Sequence, residues 1–149
     1  MNFLAGVDEV GRGSIAGPVT AAAVILRNTS TINGLNDSKA LSSLKRQELD
    51  SLIKEESISW YIAFISATKI DQINILQASL LAMKRAVESL SIEPELVLVD
   101  GGHCPDIIYK VEAIIKGDSK IPAISAASII AKVARDNEMI DRKSTRLNS

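Results

Sequence analysis

Phe3-Leu4-Ala5-Gly6-Val7-Asp8-Glu9-Val10-Gly11-Arg12-Gly13 sets a short apolar run against two acids and stops it with two glycines. Residues 3–10 are too few for a core helix and read as a buried strand. The acids therefore fall at a strand end. Side chains of consecutive strand residues point to opposite faces, so Asp8 and Glu9 serve one site only where the strand bends, bulges or ends. Gly11 and Gly13 just beyond supply the backbone freedom for such a departure.

Working outward, Val19 to Leu26, rich in alanine and valine, reads as a second strand. Asn33-Gly34 is a turn signal. Ser42 is placed to cap a helix running to about Glu56, with Leu44, Leu49, Leu52 and Ile53 turned inward. In a third strand, Ile58 to Ile65, Trp60, Ile62 and Phe64 share one face and Tyr61, Ala63 and Ile65 the other. That pattern predicts burial on both faces. Ile73, Leu76, Leu80, Met83, Val87 and Leu90 form one apolar helical stripe, with Thr68 and Asp71 spaced as a capping box at its start. Such a stripe is core packing. Leu96 to Asp100 reads as a fourth strand ending at Gly101-Gly102, and Tyr109 to Ile115 as a fifth. Pro122 then precedes a helix from about Ser125 to Arg142, with Ile129, Val133 and Ile140 on one side. The order predicts an α/β fold, a mixed sheet covered by helices, without repeats or a second domain.

The composition narrows the function. The chain has 149 residues, 46% hydrophobic and 23% charged, which suits one globular domain. No apolar run reaches the length of about eighteen residues needed to span a bilayer, so no membrane partner is expected. The early acids and lack of a basic start predict no secretory leader and hence a cytoplasmic location. The single cysteine, Cys104, excludes an internal disulfide framework and a cysteine-rich zinc site. His103 is the only histidine, so serine–histidine or cysteine–histidine catalysis would have to run through it. Hydrolytic chemistry here rests more readily on carboxylates. A net charge of −1 is a poor global signature for nucleic-acid binding, although a local basic patch suffices.

Asp8, Glu9 and Asp100 end apolar strands, and Asp118 lies in Lys116-Gly117-Asp118-Ser119-Lys120, between a strand and a helix. Each acid alone would pass for an ordinary turn residue. Together at a sheet edge, they would repel one another unless cations neutralised them. All-oxygen sites favour hard ions such as Mg2+ or Mn2+, and a pair of such ions serves phosphoryl transfer. Gly11 to Gly17 is not a dinucleotide fingerprint: its third glycine comes one place late and a strand, not a helix, follows. A glycine-flanked Arg12 instead lets backbone and guanidinium approach a phosphate or sugar. Asn36-Asp37-Ser38-Lys39 and Gly117-Asp118-Ser119-Lys120 both set a hydroxyl beside an ammonium in a loop, as phosphate contacts do. His103 and Cys104 read as loop residues.

At this point a specific resemblance emerges. Gly6-Val7-Asp8-Glu9-Val10-Gly11-Arg12-Gly13 followed by Ala16-Gly17-Pro18-Val19 resembles the opening signature of the ribonuclease HII family. Asp37-Ser38-Lys39, Leu98-Val99-Asp100-Gly101, Lys116-Gly117-Asp118-Ser119 and the run from Ser125 to Asp136 resemble its later blocks, in order. The resemblance covers residues 3 to 142.

It implies a ribonuclease H-like fold with a mixed five-stranded sheet flanked by helices. It implies hydrolysis of the RNA strand of RNA–DNA hybrids and cutting on the 5′ side of ribonucleotides embedded in DNA, leaving a 3′-hydroxyl and a 5′-phosphate. The family's catalytic metal ligands fall on Asp8, Glu9, Asp100 and Asp118, holding two divalent ions, Mg2+ or Mn2+. Asp136 is the rival to Asp118 as fourth ligand. Substrate-binding positions fall on Gly11, Arg12 and Gly13, which read the 2′-hydroxyl, and on Lys39, Ser125 and Lys132. A monomer is expected. The match stops after Arg142, where family members continue through a tyrosine-bearing segment. Residues 1–142 are therefore expected to form the catalytic domain, and 143–149 a tail foreign to the family on a chain cut short. The alternative reading is a catalytically impaired nucleic-acid-binding fragment of such an enzyme.

Overall fold

The computed structural model describes residues 2–12, 17–27, 32–35 and 40–148. Five strands and four α-helices follow in the order β1 (Leu4–Val10), β2 (Val19–Ile25), α1 (Ser43–Glu56), β3 (Ser59–Ile65), α2 (Ala67–Ile73), α3 (Ile75–Glu88), β4 (Leu96–Asp100), β5 (Lys110–Ile114) and α4 (Pro122–Asn148). The strands form one mixed sheet in the order β3-β2-β1-β4-β5. β1 and β2, and β2 and β3, pair antiparallel, while β1, β4 and β5 run parallel. The fold expected from the sequence is the one observed.

β1 lies at the centre, and its alternation sorts the core. Ala5 and Val7 join Ala21, Ala23, Val97 and Val99 against α3. Gly6, Asp8 and Val10 face the other way, where Ala22 and Val24 meet α1 and α4. All seven residues of β2 are buried. Its three consecutive alanines keep both faces thin, so helices can lie close on each side. The closest approach is at Gly6. A Cβ there would fall onto the backbone of Ala123 and Ile124. Only glycine lets the first turn of α4 cross β1 at this height.

Several boundaries and faces differ from the sequence reading. The long apolar stripe is two helices, broken at Asn74, whose φ of 74° reverses the chain. Asn74 Oδ1 accepts from Gln77 N–H at 3.0 Å and so starts α3. The cap of α2 is Ser66, which accepts from Lys69 N–H at 3.2 Å, in place of the Thr68–Asp71 box. β3 is an edge strand, and Trp60, Tyr61 and Phe64 are 37%, 44% and 41% exposed rather than buried. Of the four leucine and isoleucine residues of α1 expected to face inward, Leu49 and Ile53 are buried, Leu52 is half-buried and Leu44 points to solvent. α4 starts at Pro122, where a proline suits the first helical position, and its backbone runs on to Asn148. Ile129 and Val133 are buried as expected, but Ile140 is exposed. Gly13 and Lys39 lie outside the described residues.

The Gly6 crossing yields a direct expectation. Gly6→Ala should lower the unfolding free energy by about 3 kcal/mol, because backbone rather than a flexible side chain must move. Ala5→Gly, on the opposite face, leaves the crossing intact and controls for strand propensity. Urea denaturation of both variants checks it. A Gly6→Ala protein as stable as the parent would show that α4 does not bear on β1 there.

Candidate active site

The parallel pairing of β1 with β4 runs from Leu4 opposite Leu96 to Val7 opposite Val99. One step further, that register sets Asp8 beside Asp100 at the carboxyl ends of adjacent parallel strands. Both side chains lie on the α4 face, since Val7 and Val99 belong to the α3 face. Asp118 reaches the same point from a 3-10 turn, Gly117–Ser119. The chain enters that turn through Lys116 in the left-handed region, at a φ of 56°. Gly117 allows the approach: a Cβ there would stand 2.7 Å from Ile124 Cδ1 and 3.5 Å from Asp100 Oδ1. Asp118 N–H donates to Asp100 Oδ1 at 3.1 Å. From α4, the fully buried Ser125 hydroxyl donates to the Asp118 carbonyl. One carboxylate oxygen from each of Asp8, Asp100 and Asp118 lies within 4.8 Å of the other two.

Glu9 does not join this group. β1 and β2 pair without interruption from Ala5 to Val10, so there is no bulge, and Glu9 faces α3. Its Oε1 lies 3.9 Å from Arg12 Nη1. Its Oε2 and the hydroxyl of Ser79 on α3 are both buried. Glu9 nonetheless borders two clefts around the strand end. The first, of about 380 Å³, lies on the α4 side and is also lined by Asp8, Asp100, Asp118, Arg46, Ser128 and Lys132. The second, of about 180 Å³, lies on the α3 side, with Arg12, Ser79, Asp100 and His103 among its walls. Asp100 borders both.

The electrostatics follow from this packing. Burial, then the charge of Asp100, pushes the Asp8 carboxyl well above the ordinary carboxylate range, against a pull from the Glu9 N–H. That N–H donates to Asp8 Oδ1 at 2.8 Å. Burial also raises Glu9, opposed by the Arg12 guanidinium and the Ser79 hydroxyl. Groups so disfavoured as anions become favourable ligands once a cation is present. The donor set is all oxygen, which suits a hard divalent ion. The residues therefore fit a metal, and the cluster could hold one.

The other sequence candidates are placed as follows. Gly11 and Arg12 follow Val10 directly at the end of β1. Ser125 is fully buried and acts on the backbone of Asp118, so it does not present its hydroxyl to a substrate. Lys132 lines the larger cleft, with its ammonium 3.1 Å from Asp136 Oδ1. Asp136 is outside the three-acid group. Three lining residues escaped the sequence reading. Ser128 is one turn before Lys132 on the same helix face. Ser79 left a faint signal, a serine inside the apolar stripe of α3. Arg46 left none, because α1 reaches the cleft only through the tertiary fold.

Comparison with known proteins identifies a family. The family model described as Ribonuclease HII matches residues 5–148. Over 137 residues the chain is 58% identical to the ribonuclease HII of Nitrosococcus oceani, spanning 92% of this chain and 68% of that protein. It is 61% identical over 137 residues to the ribonuclease HII of Pelagibacter ubique, spanning 91% and 73%. The crystal structure of the ribonuclease H2 from Pyrococcus horikoshii OT3 superposes with a TM-score of 0.82 at 30% identity, over 95% of this chain and 76% of that one.

The raised Asp8 carboxyl fixes the sign of a pH effect. Its folded form holds a proton more tightly than its unfolded form, so that contribution is present below about pH 4 and lost as pH rises through the folded-state value. Chelator-treated protein should therefore lose stability as the pH rises above about 4, and Asp8→Asn should flatten the slope. At the alkaline end, Mg2+ at a hundred times its Kd should restore about 2.7 kcal/mol. Thermal melts with and without the ion check all three. A parent whose melting ignores both pH and Mg2+ would rule out a coupled acidic site.

Proposed function

The chain belongs to the ribonuclease HII family of metal-dependent endoribonucleases, and from that premise we propose that it hydrolyses the RNA strand of RNA–DNA hybrids and cuts on the 5′ side of ribonucleotides embedded in DNA. The products are a 3′-hydroxyl and a 5′-phosphate. The observation that carries the reading is the convergence of Asp8, Asp100 and Asp118 at the end of β1 and β4, one residue from Glu9 and four or fewer from Gly11 and Arg12.

In this reading Asp8, Asp100 and Asp118, with Glu9 from the neighbouring face, would hold two divalent ions, Mg2+ or Mn2+. Bound there, the ions would supply an activated water and neutralise charge on the leaving oxygen. The protein's own groups do the rest. Ser125 and Asp100 fix the Asp118 turn from both sides. Gly11 offers backbone without a side chain at the strand end, where a 2′-hydroxyl, the group that separates RNA from DNA, can be approached. Arg12, Arg46 and Lys132 give the rim cations that suit phosphates. They form a local basic rim on a chain whose net charge is only −1.

The test is cleavage of a labelled DNA duplex carrying one ribonucleotide, beside an all-DNA duplex and a longer RNA–DNA hybrid, with Mg2+ or Mn2+. One cut 5′ to the ribonucleotide is expected, none in all-DNA, and a loss on the order of a hundredfold or more in Asp100→Asn. If the folded protein cuts nothing yet retains the ribonucleotide-bearing duplex in fluorescence anisotropy, it is a nucleic-acid-binding fragment instead. Equal cleavage by the parent and Asp100→Asn would remove the acids from the reaction.

A further inference from the structure

Arg135 lies on α4, ten residues after Ser125, and it is only 7% exposed. Burying a guanidinium is costly unless its donors are used. Its Nε donates to the Pro18 carbonyl at 3.0 Å, across 117 residues of sequence. The same side chain fills the space beneath both ends of the connection from β1 to β2. At Gly11, whose φ is 102°, a Cβ would stand 2.6 Å from Arg135 Nε and 2.7 Å from the Pro18 oxygen. At Gly17, whose φ is 96°, a Cβ would stand 3.4 Å from Arg135 Nη2 and would strike Met139 Sδ. Gly11 therefore lacks a side chain where Arg135 needs the room and Gly17 where Met139 sits, and both use backbone angles that other residues resist.

We propose that Arg135 is a positioning residue for ribonucleotide recognition: it clamps the chain where it leaves β1 and re-enters β2, and so holds Gly11 and Arg12 at a fixed height beside the acids. For core filling alone an apolar side chain of similar volume would serve. A guanidinium adds a directed donor to a loop carbonyl, which sets position and not merely volume. The helix that carries it matters equally. Ser125 on α4 holds Asp118, and Arg135, ten residues on, holds Pro18 at the β2 end of the loop and packs closely against Gly11 at the β1 end. One rigid element thus sets the distance between an acid of the cluster and the segment that reads the sugar. This rests on the functional reading above, in which Gly11 and Arg12 face the ribose.

The experiment compares the parent with Arg135→Lys, Arg135→Ala and Gly11→Ala, each checked for folding by circular dichroism. Gly11→Ala presses on the same contact from the loop side, so the test survives if Arg135→Ala fails to fold. The first readout is amide hydrogen exchange. Peptides covering residues 10–19 should exchange faster in every folded variant, with those of β4 and β5 unchanged. The second is steady-state cleavage of the single-ribonucleotide duplex. KM should rise about tenfold or more, while the Mg2+ concentration for half-maximal thermal stabilisation stays at the parent's value. A merely structural role would lower the active fraction and hence the apparent kcat, leaving KM in place. Arg135→Ala with parental exchange over residues 10–19, or with parental KM, overturns the proposal. A parent that neither cuts nor prefers the ribonucleotide-bearing duplex fails the functional reading instead. Exchange then still decides whether Arg135 holds the loop, and parental exchange would end the proposal on its own.

Discussion

Three carboxylates within 4.8 Å of one another, Asp8 and Asp118 buried and Asp100 half-buried, are held together against their own repulsion, and much of the architecture is the means of holding them. Two come from adjacent parallel strands, whose ladder leaves no freedom to separate Asp8 from Asp100. The third comes from a turn that the ladder cannot reach. Asp118 is brought in by the left-handed Lys116, the missing side chain of Gly117 and the hydroxyl of Ser125. A site of this kind is strained electrostatically until a cation arrives, and the surrounding core must tolerate that. The fully buried β2 and the apolar layers on both faces of β1 supply the rigidity.

The position of α4 depends in turn on a single atom that is absent. Because Gly6 has no Cβ, the first turn of α4 passes directly over β1. The 3-10 turn is only a few residues upstream, with Ile121 N–H donating to the Gly117 carbonyl at 2.8 Å. Lifting α4 from the strand would draw the turn, and Asp118 with it, away from Asp100. The stability of the crossing and the closure of the acidic cluster are therefore one constraint seen from two ends.

The sequence made the strands legible because short apolar runs bounded by glycine and proline have few other readings. It also marked the acids, which stood at the ends of those runs. What it could not show was sheet position. β3 carries the alternation of a strand buried on both faces, yet it lies at the edge, and nothing within eight residues tells an edge from a centre. The break at Asn74 was equally hidden, since a single residue with positive φ left the apolar stripe intact on either side. Gly13 and Lys39, which the sequence also marked, lie outside the described residues. Arg46 and Arg135 are long-range contacts, which no local pattern encodes.

Glu9 is the residue in which the period of the strand and the demands of chemistry meet. The unbroken ladder through Val10 forces it onto the face opposite Asp8, so a flat site on one face of the sheet is impossible. The strand end offers a different solution. Asp100 terminates β4 and borders the clefts on both sides, and Glu9 does the same from β1. The functional unit is then the edge of the sheet rather than either face, with the α4 cleft holding the three-acid group and the α3 cleft holding Arg12 and Ser79. An arrangement that wraps around an edge must be fixed from both sides at once. On the α4 side that task falls to Ser125 and Arg135. On the α3 side the buried hydroxyl of Ser79 steadies the Glu9 carboxylate.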